Sequence, residues 1–307
     1  MSSLDKTIDD AEVSLAVLRV LADNSFDSVM ITDSSKAGKI IYTNKAFTAL
    51  TGYTGDDVIG KTPRILQGSA TDKTVIERSD LLIAIGGDGT LLSSARNFGY
   101  NQIPILGINL GNLGFLTDIP PADLTSSLNK VIHGKFIKDK RIFLEASLGR
   151  TKKKFQALNE VVLHSGSIAQ LIEYDLFIDN EFVYRQKADG LIISTSTGST
   201  AYSLSGNGPI ISPDVQAITL LPMFPHSLNA RTLITSHEKN ITLKVRKNSK
   251  AYLSLDSHNN FRVPPNQEVF INKAEKELTL IHPTDHSFFS SCRNKLGWSL
   301  GVPTTNT

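Results

Sequence analysis

The chain has 307 residues, 40% of them apolar and 20% charged, the make-up of a folded protein with room for two domains. Its 32 basic and 30 acidic side chains leave a net charge of +2, which argues against a surface built for nucleic acid or anionic membrane. The lone cysteine, Cys292, excludes an internal disulfide; no Cys/His spacing suggests a metal site and no apolar run reaches the ~20 residues that span a bilayer, so the expected location is the cytoplasm. Leu4, Ile8, Ala11, Leu15 and Leu18, spaced by fours and threes, predict a helix over 4–22 that Asp23-Asn24 ends. Two short strands follow, Ser28–Thr32 and Lys39–Thr43, joined by the turn residues of 33–38 as in a hairpin. A short helix over Lys45–Leu50 and a turn at Gly52-Tyr53-Thr54 complete this part.

The run Leu81–Ile85 predicts a buried strand, and it stops at Gly86-Gly87-Asp88-Gly89-Thr90. Glycines let a backbone approach a phosphate or sugar with no side chain in the way. No Gly-Lys-Ser/Thr ending supplies a lysine to the phosphates. The single carboxylate suits proton abstraction from a hydroxyl, or metal binding, while an ordinary helix-capping aspartate is the plain alternative. A helix over Leu91–Phe98, a buried strand at Ile103–Ile108, and a helix over Pro120–Gly134 with Leu124, Leu128, Val131 and Ile132 on one face come next.

From about Lys140 the period changes to alternation: Glu173–Ile178, a turn at Asp179-Asn180, Phe182–Gln186, and later Ile241–Val245, Ala251–Leu255 and Leu278–Ile281. That pattern predicts an antiparallel two-layer β domain. Lys152-Lys153-Lys154 reads as a solvated hairpin turn, and His226 as a structural histidine. Within this half, Asp189-Gly190, the strand Leu191–Ile193 and the hydroxyl-rich stretch Ser194–Ser205 repeat the earlier layout of carboxylate, strand and glycine turn. So many hydroxyls beside an apolar strand suit a polyhydroxylated or phosphorylated ligand; local side-chain-to-backbone turns are the alternative.

The ordered set of motifs resembles NAD kinase of the bacterial type, from about Ser79 to Gly301. It comprises Gly86–Thr90, Gly107–Asp118, Leu158-Asn159-Glu160, Asp189-Gly190, Thr197–Ser203, Pro222–His226, Leu255–His258 and Lys295–Trp298. The resemblance implies three parts. A Rossmann-like α/β nucleotide-binding domain spans 79–139, with a C-terminal helix free to return to it, and a β-rich domain spans 140–307. Residues 1–78 form an α+β segment ahead of both. That segment resembles the first half of a PAS domain of the flavin-binding branch, on Ile31–Asp33, Ile41–Phe47, Leu50–Tyr53 and Gly60–Gly68. Pro63 stands where that branch has its reactive cysteine, so no flavin is expected. The family's usual strand and helix before the glycine loop are not found in 1–78. Either the strands of 28–43 cover the sheet edge this bares, or a foreign segment has been joined on as a chimera.

The resemblance also implies a reaction, transfer of the terminal phosphoryl group of ATP, with its Mg²⁺, to the adenosine ribose 2′-hydroxyl of NAD, giving NADP. Asp88 would be the general base, and Gly89 would let the backbone approach the dinucleotide. Asn159 and Glu160 would bind sugar and adenine, Asp189 an amide or ribose, and Lys187 a phosphate. Thr197, Thr200, Ala201, Tyr202 and Ser205 belong to the second loop, with Tyr202 able to stack on a base. Phe115 would pack on adenine or belong to the core, and His258 stands at the pocket rim where relatives often carry Gln. Ser196 replaces a usual proline, and Gly206-Asn207-Gly208 a usual Ala-Gly-Gly. A homo-oligomer, dimer or tetramer, is implied. A non-catalytic NAD(P)-binding or sensory protein and a lipid kinase sharing the glycine motif remain as other readings.

Overall fold

A computed structural model describes residues 22–23, 29–32, 38–62, 79–99, 102–109, 114–117, 119–120, 123–149, 153–166, 170–246, 249–257, 259–264 and 266–298. Most of the helix expected over 4–22 lies outside them; Ala22 and Asp23 are helical. The chain divides into two compact units, Met1–Arg78 and Ser79–Thr307.

In the first unit, β1 (Met30–Thr32) and β2 (Ile40–Thr43) pair antiparallel, as their spacing predicts. Asn44 then starts α1 (Lys45–Thr51): its side chain accepts the Phe47 N–H at 2.9 Å, and Gly52 ends the helix in the left-handed conformation. A second short helix, α2 (Gly55–Val58), is entered through Thr54, whose N–H donates to Asp57 at 2.8 Å. Ile40, Phe47 and Val58 form a small buried core.

The second unit opens with β3 (Leu82–Ile85), crosses through α3 (Asp88–Phe98) and returns in the parallel strand β4 (Ile105–Ile108). Gly87 is the extended N-cap, so the helix starts at Asp88, earlier than the apolar spacing alone places it. Leu91, Leu92 and Ala95 bury one face of α3 against Ala84, Ile105, Leu278 and Leu280. Burial of each leucine contributes roughly 1.5–3 kcal/mol. The expectation of a buried β3 holds only for Ala84, because Ile83 and Ile85 remain 41% and 54% exposed. Among the described residues β3 is the edge of its sheet, and an apolar run does not distinguish an edge from a centre. The next helix, α4 (Leu124–Ile132), buries Val131, but Ile132 is 76% exposed, not on the packed face. It is the last helical residue and its side chain turns out at the end.

Alternation begins at β5 (Phe136–Leu148), followed by β6 (Lys154–Ala157), β7 (Glu160–His164), β8 (Ile172–Ile178), β9 (Glu181–Ala188), β10 (Gly190–Thr195), β11 (Ala217–Met223) and β12 (Leu233–Ser236). The series closes with β13 (Ile241–Val245), β14 (Ala251–Leu255), β15 (Asn259–Val263) and β16 (Glu268–Pro283). Asp179 and Asn180 join β8 to β9 with positive φ at both positions, the geometry a two-residue hairpin turn demands. One sheet, wholly antiparallel, runs β12-β11-β10-β7-β14-β15; the other is mixed and runs β3-β4-β16-β13-β8-β9, with β5 and β6 attached through β16.

The two sheets face each other across a core to which Leu144, Tyr174, Leu243 and Ile271 contribute from one side and Val161, Leu163, Leu191, Ile193 and Leu253 from the other. This is the two-layer β arrangement predicted by the alternation. β16 joins the halves: Glu268–Ile271 pair with β13, Leu280-Ile281 pair parallel with β4, and β5 lines the opposite edge. Lys154 lies in a strand and pairs with Glu145 at 2.7 Å, not in a turn; Lys152 lies outside the described residues.

Candidate active site

Three constellations in the second unit bring the sequence-predicted residues together. The first surrounds Asp88. At Gly86, φ is +153° and a Cβ would run into the Thr90 side chain, so the loop before α3 needs glycine there. Gly89, by contrast, is exposed, and a Cβ added there would meet nothing within 4 Å. The Asp88 carboxylate lies over the turn at 114–117. Its Oδ2 accepts the Phe115 N–H at 2.9 Å, and its Oδ1 accepts the N–H of Leu116 and Thr117 and the Thr117 hydroxyl at 3.0–3.2 Å. A Cβ at Gly114 would collide with the same carboxylate. Lys295, from α6 (Phe288–Leu296), places Nζ 3.9 Å from Asp88 Oδ2 and 4.7 Å from the centre of the Phe115 ring. Phe115 is half-buried; it is Leu116 that enters the core.

The second constellation is the turn at Leu158-Asn159-Glu160. Leu158 is buried in the same core as α3, which ties this turn to the helix that carries Asp88. Three consecutive backbone N–H groups, of Leu158, Asn159 and Glu160, donate to Asp256 at 2.8–3.1 Å, and Arg96 of α3 stands 3.9 Å from it. The hydroxyl-rich stretch seals the other side. The Thr195 hydroxyl donates to the Leu158 carbonyl at 2.7 Å, and Gly198 comes so close to the Asn159 carbonyl that any Cβ would overlap it. Asn159 Oδ1 and Glu160 Oε2 are buried without a hydrogen-bond partner among the described residues.

Burial, and then the neighbouring Asp256, push the Glu160 carboxyl up to about 8; the Tyr202 N–H donates to it and pulls the other way. Burial also raises Asp256, against the pull of its three N–H donors and Arg96. The folded chain therefore keeps at Glu160 a proton that the unfolded chain releases near the ordinary 4.5. The stability this confers is complete below that value and is lost as pH rises through about 8. Glu160→Gln mimics the protonated side chain. Its melting temperature is expected to match the parent at pH 5 and to exceed it increasingly up to pH 9; parallel curves over that range would contradict the protonated state.

The third constellation is a groove of about 530 Å³ whose walls include His164, Asp189, Tyr202, Phe224, Ser257 and Asn260. Asp189 lies between the largely exposed β9 and the buried β10, its N–H donating to the Met223 carbonyl at 2.9 Å. Tyr202 heads the short helix α5 (Tyr202–Ser205) and is 41% exposed. Phe224 holds φ at +42°, rare for a bulky residue, and presents a ring 79% exposed.

Other predicted residues fall elsewhere. Thr197 turns away from the groove: its hydroxyl accepts from Arg141 at 3.2 Å and it lines a separate cavity of about 270 Å³. Thr200 donates to the Thr197 carbonyl at 3.3 Å, Ala201 is half-buried, and Ser205 is exposed. Lys187 projects from β9 as an exposed side chain, and His258 lies outside the described residues. Asp256, Arg96 and Lys295 received no role from the sequence, although Asp256 and Lys295 stand inside quoted motifs.

The ATP-NAD kinase C-terminal domain model matches residues 158–283, and the ATP-NAD kinase N-terminal domain model matches residues 6–136. The chain belongs to the NAD kinase family. Among curated relatives, the NAD kinase of Teredinibacter turnerae is 45% identical over 235 residues, covering 75% of this chain and 80% of that one. The NAD kinase of Chromohalobacter salexigens is 46% identical over 228 residues, covering 73% and 78%. A crystal structure of yeast NADH kinase complexed with NADH superposes with a TM-score of 0.70 at 31% identity, covering 76% of this chain and 71% of that one. An NAD kinase from Archaeoglobus fulgidus in complex with ATP gives 0.60 at 27%, covering 72% and 83%. The enzyme thus phosphorylates NAD with ATP, and the family match reaches back to residue 6 rather than starting near Ser79.

Proposed function

We propose that Asp88 removes the proton from the ribose 2′-hydroxyl while that oxygen attacks the terminal phosphorus of ATP. The bond from phosphorus to the bridging oxygen breaks, and ADP leaves with the electron pair. The groove beside Asp189 and Tyr202 holds the dinucleotide, and Asn159 and Glu160 read its adenosine end with their donor-less buried oxygens. One observation carries this reading. Tyr202 grips Glu160 through its N–H while its half-exposed ring walls the groove with Asp189. Tyr202→Ala is expected to raise the KM for NAD tenfold or more and to leave that for ATP within twofold, in an assay coupled to an NADP-dependent dehydrogenase. An unchanged KM for NAD would remove the dinucleotide from this groove.

The four hydrogen bonds that Asp88 accepts favour a second role beside the first, as the anchor of the turn that presents Phe115. For the metal, no group of three or more His, Cys, Asp or Glu side chains among the described residues is placed to hold an ion. We read magnesium as arriving with ATP, whose triphosphate needs a divalent cation to offset its charge.

We read the enzyme as a homo-oligomer, a dimer or tetramer, supported by Phe224 and Leu228, which expose 79% and 93% of their surface close together in sequence. No helix among the described residues is long and apolar enough to cross a membrane, and we assign the enzyme to the cytoplasm. Residues 1–78 we read as a PAS-derived cap without flavin. The hairpin, its two short helices and their separate small core support this, although the family match from residue 6 runs across the same segment. The domain division that goes with this reading is 1–78, 79–139 and 140–307.

A further inference from the structure

Phosphoryl transfer gathers negative charge on the oxygens of the moving group, and a loop of the Walker type answers it with its own lysine. The loop Gly86–Thr90 has none, and the first cation along α3, Arg96, faces Asp256. We propose that Lys295, from the last turn of α6, supplies this missing charge by gripping a non-bridging oxygen of the terminal phosphate of ATP beside Asp88.

The placement of Lys295 supports this. Its Nζ is 3.9 Å from Asp88 Oδ2, beyond hydrogen-bond reach, so the ammonium is attracted to the carboxylate without being locked to it. The ring of Phe115 lies 4.7 Å from the same nitrogen, and the side chain keeps 28% of its surface open to an incoming ligand. The helix is held firmly. Ser287 caps its start, Ser291 and Cys292 are buried, and Gly297 stops it with φ at +66° immediately after the turn bearing Lys295. A cation in the last turn offsets the helix dipole, which accounts for a charge there. It does not account for a charge that converges on Asp88 and Phe115, both distant in sequence.

When ATP arrives, the ammonium exchanges Asp88 for a phosphate oxygen, and the carboxylate is left to accept the ribose proton. As the new phosphorus–oxygen bond forms and ADP departs with its electron pair, Lys295 offsets the charge on the moving group. This rests on the reading of Asp88 as the group that meets the acceptor hydroxyl, and the test keeps the two apart.

In the full chain, Lys295→Met and Lys295→Gln are expected to lower kcat by about 10²–10³-fold and to weaken calorimetric binding of MgATP about tenfold or more. The KM for NAD should stay within twofold, and Lys295→Arg should recover part of the loss. Lys295→Gln keeps a polar end without the charge, so it serves if the methionine variant fails to fold. Unchanged MgATP affinity in a folded variant, or equal losses for ATP and NAD, would overturn the assignment. Asp88→Asn separates the readings: loss of turnover with MgATP binding retained leaves both standing. Full turnover in Asp88→Asn, with donor affinity still lost in Lys295→Met, removes the base and keeps the lysine.

Discussion

Asp88→Asn is expected to lower kcat by about 10²–10⁴-fold, the usual effect of removing a positioned general base. The substitution is nearly isosteric, and its one remaining side-chain oxygen can still accept from the turn at 115–117, so melting should change little. Its amide nitrogen, however, then faces N–H donors. The N–H groups of Phe115, Leu116 and Thr117 all point at the native carboxylate, so some loosening of that turn should appear as a higher KM for NAD. Kinetics separate the two roles. A fall in kcat alone marks proton transfer, a rise in KM alone marks anchoring, and both together mark both. Near-parental turnover would exclude Asp88 as the base.

Asp256→Ala should be the most destabilising of the single changes considered. It removes the acceptor of three buried N–H groups and the partner of Arg96 from a side chain with no exposed surface. Removing one side of a buried pair costs about 3–5 kcal/mol, a drop in melting temperature on the order of 10 °C for a unit of this size. The turn Leu158–Glu160 would lose its registry, so NAD binding should weaken as well. Asp256→Asn retains one acceptor and should fall between parent and alanine. A loss below 1 kcal/mol for alanine would show that the three N–H groups find other partners.

The glycine-loop half was legible because its pattern is local. A strand, glycines and one carboxylate are consecutive in sequence, and β3, Asp88 and β4 followed from them. The two-layer sheet was legible from alternation alone. The site was legible only in part, because much of it is assembled over long sequence distances. Asp256 acts on backbone groups of residues 158–160, and nothing in Leu255-Asp256-Ser257 announces three N–H donors from a turn almost a hundred residues away. Lys295 reaches Asp88 from near the chain's end. Thr197 sits among hydroxyls that look equivalent in sequence, yet Arg141, which claims it, lies on β5. β3 and Ile132 were misjudged for a related reason: whether a sheet or helix face is covered depends on which neighbour is there, and periodicity does not report neighbours.

β16 acts as a common spine. Because one strand is stitched to β13 along its first residues and to β4 near its last, the glycine-loop half and the sandwich cannot part like jaws about a hinge. Nucleotides should then come and go through movements smaller than a swing of whole lobes. The amides of Leu280 and Ile281 should exchange with solvent among the slowest in Ser79–Thr307, and that unit should melt in a single step.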